Sequence, residues 1–325
     1  CGFRRSLQDR DEVQKGLTKL LDNWIPPAEK TEYPREGHQW ENYTYDREMQ
    51  QSIDRQLKKH VAPGYGGISQ EMWFATPERI RARARRVIEL ILRTGRAPPI
   101  VRRKQKIFLP KATTVDPTLD NSKGLPPWRP IPVQAALDIL LVLKHYVEPG
   151  IPLCGMQHGF KNNRTVIDAA LLVALLIERA LSNHESLLMV SKDCRKCFDR
   201  ISRWCMDLIY RGLGVPDVPR RLMMNLLQHG VADVRTAFGW LSTGFREFAI
   251  GQGPILSILH IACYMNCLQK QLAQCPDPVS IVNHQEGHEI GISSTLFVDD
   301  RLGVTTFQRG IHAMAAVTTL VTGKY

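Results

Sequence analysis

The chain has 325 residues, 43% of them hydrophobic and 7% aromatic, enough to bury a substantial core in one large domain or two subdomains and incompatible with a disordered tail. A formal net charge of +11 and a pI near 9.4 point to a polyanionic partner, either nucleic acid or an acidic membrane face. The longest apolar run, Ala169 to Ile177, is about half of what a bilayer crossing needs. With no signal-peptide pattern at the start, an intracellular protein, nuclear or cytoplasmic, with no membrane partner is expected.

Three consecutive regions are expected: a polar lead-in, 1–61, of unassigned role, then 62–185, then 186–325. The chain opens on Cys1 rather than Met, so the numbering is expected to begin inside a longer product. In the lead-in, Trp24, Trp40, Tyr43 and Tyr45 are scattered among charges. APGYGGIS, Ala62 to Ser69, reads as a tight turn, because its glycines lack the spacing of a phosphate loop. A helix follows with Ile80, Ala84, Val87, Ile88 and Ile91 on one stripe and Arg79, Arg83, Arg86 and Arg93 mostly off it. Gly95 fits its end, and Pro98 and Pro99 stop it continuing. From Arg79 to Lys106 nine Arg and two Lys face one acid, Glu89, a net +10. A solvated helix face and a phosphate-tracking surface both fit those arginines.

A short strand, Ile107 to Leu109, runs into Lys111, and the chain returns at Trp128 to Ile131, a hairpin with a cation near each arm. Lys111 as a point charge and Arg129 as a fork could grip a triphosphate; an ordinary surface hairpin also fits. A helix from Val133 to Val147 is expected next. Then Asn162, Asn163, Arg164 and Thr165 make a polar turn before an apolar helix from Val166, with Asp168 in its first turn, as in a capped core helix. Leu187 to Val190 reads as a buried strand with Asp193 at its carboxyl end, where ligand sites of sheet proteins lie. Asp193, Lys196 and Asp199 could equally be helix-start residues. The eight cysteines are spaced irregularly, as in a reducing compartment. Cys194 and Cys197 form a CxxC with no second pair to complete a zinc site, so small buried thiols are expected there. AIGQGPILSILHIACYMNCL reads as a Gly-rich turn entering an apolar helix, and TLFVDDRLGV as an apolar hairpin with adjacent Asp299 and Asp300.

These segments resemble a known family. DCRKCFD, Asp193 to Asp199, is similar to the DxxKAFD pattern that carries the first catalytic aspartate of reverse transcriptases. GQGPILSIL resembles their QGxxLSPLL segment and FVDD their [YF]xDD box, in the same order and spacing. APGYGGIS resembles the APGPDGI lead-in, LRTGRAPP the LxTGxxP that closes the following helix, IFLPK and WRPI the fingers hairpin, and QHGFKNNRTVIDA the QxGFRxxRST.DA segment. The assortment is that of non-LTR (LINE-type) retrotransposon reverse transcriptases, with group II intron enzymes as cousins, and it covers Ala62 to Val304. Departures are Ile255 and Ile258 in place of the prolines flanking Leu-Ser, Pro254 where a small residue is more usual, Gly66 in place of Asp, and Cys197 in place of Ala. The chain ends 25 residues after Asp300, before the family's thumb.

The resemblance implies an α+β fragment of a right-hand polymerase: fingers with part of the palm in 62–185, and in 186–325 a palm whose small antiparallel sheet is backed by helices, the thumb absent. It implies RNA-directed DNA polymerisation with an RNA template, a DNA primer and dNTPs, on Mg²⁺ for which Mn²⁺ can substitute. Nucleotidyl transfer needs carboxylates from two strands to hold two divalent cations about 4 Å apart. Asp193, Asp299 and Asp300 would supply them, with the carbonyl of Cys194 as a further ligand. Lys111 and Arg129 would hold the triphosphate, Phe198 would be the steric gate against a 2′-hydroxyl, and Gln252 and Gly253 would line the pocket. Arg79, Arg83, Arg86, Lys161 and Arg164 would touch the template and primer backbones. A degenerate copy that binds nucleic acid without catalysis is the other reading. The motifs do not fix an oligomeric state.

Overall fold

The computed structural model describes residues 45–57, 67–110, 128–134, 137–159, 161, 164–194, 197–228, 232–236, 239–242, 250, 255–283 and 288–322. In chain order come α1 (Arg47–Gln56), α2 (Gln70–Ala75), α3 (Glu78–Thr94), α4 (Pro99–Arg102), β1 (Lys104–Pro110), β2 (Trp128–Gln134) and α5 (Leu137–Val147). Next are α6 (Val166–Ser182), β3 (Leu188–Lys192), α7 (Cys197–Arg200), α8 (Arg203–Gly212), α9 (Asp217–Gln228), β4 (Ala232–Thr236) and β5 (Gly239–Ser242). The last are α10 (Ile255–Leu272), β6 (Val279–Asn283), β7 (His288–Ile292), β8 (Ser294–Phe297), β9 (Asp300–Thr305) and α11 (Gln308–Thr322). The fold mixes helices with mostly antiparallel strands. Its described residues form two units interleaved in sequence: 45–151 with 198–258, and 152–197 with 259–322.

In the first unit, β1 and β2 form the expected antiparallel hairpin, with Leu109 opposite Arg129, inside a sheet of order β2-β1-β4-β5. Pro130 and Pro132 sit at alternate positions of β2, the edge strand, so the missing N–H groups fall on one side and the ladder to β1 survives. The ladder extends to Val133 and Gln134, opposite Gln105 and Lys104. Val133 and Gln134 thus belong to β2, and the helix expected from Val133 is observed over Leu137–Val147. Helix α3 ends as its sequence demands: Gly95 takes the left-handed conformation at φ 66° and its N–H donates to Ile91 O at 3.0 Å. A side chain at Gly95 would also collide with Val218 O of α9, 2.8 Å from an added Cβ. The apolar stripe of α3 lies differently from its reading. Ile91 and Leu92 are buried, but Ile80 and Val87 are 47% and 55% exposed, because the packed side turns toward α9 only near the helix end.

The core of this unit forms where α9 meets α3, α4, α5 and α8, around Leu143, Met206, Tyr210, Leu222 and Leu226. Asn225 of α9 accepts from Ala97 N at 3.0 Å, fixing the loop after α3.

In the second unit, α6 starts in a capping box: Asp168 N–H donates to Thr165 Oγ1 at 3.4 Å, and Thr165 N–H donates to Asp168 Oδ2 at 2.6 Å. Those bonds hold the Asp168 carboxyl below its ordinary range, so the capped-helix reading of Asp168 suffices. One face of α6 is buried through Ala169, Leu176 and Ala180, while Ile167, Leu171 and Leu181 stay exposed. Leu176 joins Val279, Ile292 and Val304 in the core beneath the sheet β3-β9-β8. Helix α10 is buried nearly all round, and its polar residues are clamps: Asn266 accepts from Cys154 N at 2.7 Å, and Gln269 Nε2 donates to Ser294 O at 3.0 Å. Among the described residues no helix is long and apolar enough to cross a membrane.

Leu222 is fully buried in α9. Replacing it by alanine leaves a cavity in the interior, and Leu222→Ala is expected to cost roughly 2–5 kcal/mol of unfolding free energy in a urea titration.

Candidate functional site

The second unit brings the widely separated acids together through backbone pairing. β9 lies between β3 and β8, antiparallel to both, with Lys192 opposite Arg301 and Val190 opposite Gly303. One step further along that register sets Asp193, the residue after β3, beside Asp300. On the other side Phe297 pairs with Asp300, so β8 and β9 are joined by the two-residue turn Val298–Asp299. Asp193 stands at the carboxyl end of its strand, as expected. That strand is less buried than its apolar sequence implied: Leu188 and Met189 are exposed, because β3 is the edge of a three-stranded sheet.

A two-residue hairpin needs positive φ at its first central position, which Gly or Asn ordinarily supplies. Here Val298 adopts φ 64°, a conformation that costs a β-branched residue on the order of 1–3 kcal/mol. A brace from the QHGF segment holds it there. His158 N donates to Leu296 O at 2.8 Å, Leu296 N donates to Met156 O at 3.0 Å, and Gln157 forms a parallel bridge to Leu296. Gly159 then lies directly against the turn: an added Cβ would strike Val298 N and sit 2.7 Å from Val298 Cγ2 and 3.1 Å from Phe297 C. Gln157 and His158 are buried, and among the described residues neither the amide of Gln157 nor either ring nitrogen of His158 has a hydrogen-bond partner. Burial, then the charge of Arg164, pushes His158 below its ordinary value.

Asp299 is held above the ordinary carboxylate range, first by burial and then by the charges of Asp300 and Asp193, against a hydrogen bond to its own backbone. The repulsion expected of adjacent acids is thus present but secondary to desolvation. Arg301 and Lys192, neighbours across the ladder, are both lowered chiefly by burial. The loop after Asp193 carries the CxxC: Cys197 N donates to Cys194 O at 3.2 Å. A hydrogen bond from Cys197, aided by Arg301, brings Cys194 down to about 7, against burial and the charges of Asp299 and Asp193. Cys197 is pushed up by the same bond and by burial.

The donors around this turn are carboxylates and a backbone carbonyl, hard oxygens that suit Mg²⁺ or Mn²⁺. Asp299 feels the charges of both Asp300 and Asp193. As the side chains stand, no group of three or more His, Cys, Asp or Glu among the described residues encloses a metal position.

The other residues singled out in the sequence are placed as follows. Lys111, Gln252 and Gly253 lie outside the described residues. Arg129 is in β2 at the loop end of its hairpin. Phe198 is half-buried in α7, and its carbonyl accepts from Ile250 N at 2.9 Å, while Ser257 Oγ donates to Ile250 O at 2.9 Å, so the segment entering the GQG turn is tied to Phe198 and to the first turn of α10. Arg79, Arg83 and Arg86 are exposed on α3, Arg164 is exposed before α6, and Lys161 is half-buried. Sequence reasoning missed the brace. The glycine of QHGF was the available signal, since an intolerance of Cβ is what its contact with Val298 imposes.

Two outcomes follow from this geometry. Gly159→Ala forces a methyl into the turn and is expected to lower stability by about 1–3 kcal/mol, measured by thermal unfolding. Asp299 binds its proton more tightly folded than unfolded, so its contribution favours the fold at low pH and is lost as pH rises from the ordinary value of 3.8 through the raised one. Asp299→Asn should therefore raise the melting temperature of the metal-free protein at pH 7, and the difference should vanish in scanning calorimetry below the ordinary carboxylate range.

No family model matches the chain. Two curated proteins do. The Retrovirus-related Pol polyprotein from type-1 retrotransposable element R2 of Popillia japonica is 26% identical over 61% of this chain and 27% of its own length. The Retrovirus-related Pol polyprotein from type-2 retrotransposable element R2DM of Drosophila melanogaster is 25% identical over 78% of this chain and 22% of its own length. The chain spans about a quarter of the length of these relatives. Among solved structures, apo telomerase from Candida tropicalis, truncated from its C-terminal domain, superposes with a TM-score of 0.45 over 69% of this chain and 47% of that one, at 10% identity. The two sequence matches agree with the motifs DCRKCFD, GQGPILSIL and FVDD, and the chain is a relative of the Pol polyproteins of R2 non-LTR retrotransposons.

Proposed function

We propose that this chain is the fingers and palm of an RNA-directed DNA polymerase that extends a DNA primer on an RNA template using dNTPs. The observation that carries the reading is the meeting of Asp193 with Asp299 and Asp300 at one end of the sheet β3-β9-β8, which serves as the palm sheet. Carboxylates gathered beside a half-buried turn are costly without cations, and the upward shift of Asp299, caused first by burial and then by Asp300 and Asp193, is part of that cost.

In this reading Asp193, Asp299 and Asp300, with the Cys194 carbonyl, would hold Mg²⁺ or Mn²⁺. When bound, the ions would lower the pKa of the primer 3′-hydroxyl and neutralise charge building on the phosphates. Lys111 and Arg129 bind the triphosphate, Arg129 by a bidentate fork. The ring of Phe198 sits under the sugar and rejects a 2′-hydroxyl, and Gln252 and Gly253 line the pocket beside the templating base. Arg79, Arg83, Arg86, Lys161 and Arg164 contact template and primer phosphates, an attachment that weakens steeply with salt.

Primer extension on poly(rA)/oligo(dT) with Mg²⁺ or Mn²⁺ tests the reading. The protein should extend the primer, chelation by EDTA should stop it, and Asp299→Asn Asp300→Asn should lose roughly a thousandfold or more, the scale of several kcal/mol of charge stabilisation. A protein that shifts the duplex on a gel but extends nothing would leave nucleic-acid binding without catalysis. Equal extension by parent and variant would remove the acids from the mechanism.

A further inference from the structure

Cys197 stands where the family pattern carries alanine, and nothing in polymerisation uses a thiol there. The chain leaves β3, passes Asp193 and Cys194, and re-enters a helix at Cys197, so the CxxC spans a strand-to-helix turn. The turn is closed by Cys197 N–H donating to Cys194 O at 3.2 Å, which sets the two cysteines three residues apart across it. Cys194 is half-exposed and Cys197 buried, which gives one sulfur that solvent can reach and a second behind it. Of the other described cysteines, Cys205, Cys263, Cys267 and Cys275 are buried and Cys154 is half-exposed; the CxxC pair joins one accessible cysteine to a buried one three residues on.

We propose that Cys194 and Cys197 form a reversible disulfide under peroxide-class oxidants and that this bond shuts the adjacent acidic site. A peroxide oxygen is transferred to the Cys194 sulfur, giving a sulfenic acid and water. The Cys197 thiol then attacks that sulfur, the S–S bond forms, and the hydroxyl leaves as a second water, so the electron pair lost by the two thiols has reduced the peroxide O–O bond. A dithiol reverses the reaction by exchange. The sulfurs must close to a bond of about 2.05 Å. Cys197 is anchored by burial, so Cys194 makes most of that movement. The backbone of Cys194 follows Asp193 directly, and drawing it inward displaces the carboxylate and carbonyl assigned above to the cations. The consequence for activity rests on the polymerase reading; the thiol chemistry does not.

The test uses the whole chain, reduced and then treated with hydrogen peroxide, quenched, alkylated with N-ethylmaleimide, and digested for mass spectrometry. The fragments holding Cys194 and Cys197 should become joined, lighter by a pair of hydrogens and closed to alkylation, and dithiothreitol should reopen them. Primer extension should fall by at least about tenfold and recover on reduction. Cys197→Ala, which restores the family's residue, should keep its extension under the same peroxide. Separate alkylation of both cysteines after peroxide overturns the proposal, as does a joined pair with undiminished extension. A reduced parent that extends no primer counts against the polymerase reading alone, and the mass of the joined fragments then decides the proposal.

Discussion

The ladder of β9 between β3 and β8 is the constraint on which the acidic turn depends. Asp193 and Asp299 are 106 positions apart, and only the register Lys192 opposite Arg301 brings their strand ends together. Because side chains alternate along a strand, a slip of one residue would put Arg301 where Asp300 stands and turn an acid toward the interior. Packing on both faces resists the slip. Leu302 and Val304 lie in the cluster with Leu176, Val279 and Ile292, and α11 rests against β9 and β3. Thr305 Oγ1 anchors the far end by donating to Asp277 O at 2.8 Å.

The turn at the near end concentrates unfavourable terms. Val298 is in a strained conformation, Asp299 is partly desolvated beside two other carboxylates, and the buried side chains of Gln157 and His158 have no hydrogen-bond partner among the described residues. Such terms survive only where surrounding structure over-determines the geometry. Here the hydrogen bonds between Met156, His158 and Leu296, together with the clamps from α10, provide that surplus. The arrangement fixes a short hairpin in place while leaving Asp300 exposed at its tip.

Much of this was legible in the sequence wherever a local rule sufficed. The hairpin of IFLPK and WRPI, the left-handed Gly95, the capped start of α6 and the position of Asp193 after its strand follow from turn chemistry, capping and alternation. Where tertiary packing decides, local reading fell short. Val133 reads as helical but belongs to β2, the edge strand of its sheet, and the apolar residues of β3 look buried but lie at a sheet edge. Ile80 and Val87 keep a helical period without being covered. The passage of the chain between two units leaves no mark in composition, and neither does the brace, since Gly159 shows its purpose only once Val298 is beside it. The ranking of burial above repulsion at Asp299 is likewise a property of the folded surroundings.

The contact between Gly159 and Val298 also limits how such a sequence can drift. The two positions lie 139 residues apart, in motifs that read as independent. Sterically they form one locus: any side chain at 159 occupies the space of the turn, so an exchange there is tolerated only alongside a compensating change in the hairpin. Divergent copies of this chain should therefore retain or lose the QHGF glycine and the FVDD turn geometry together, as a single inherited unit.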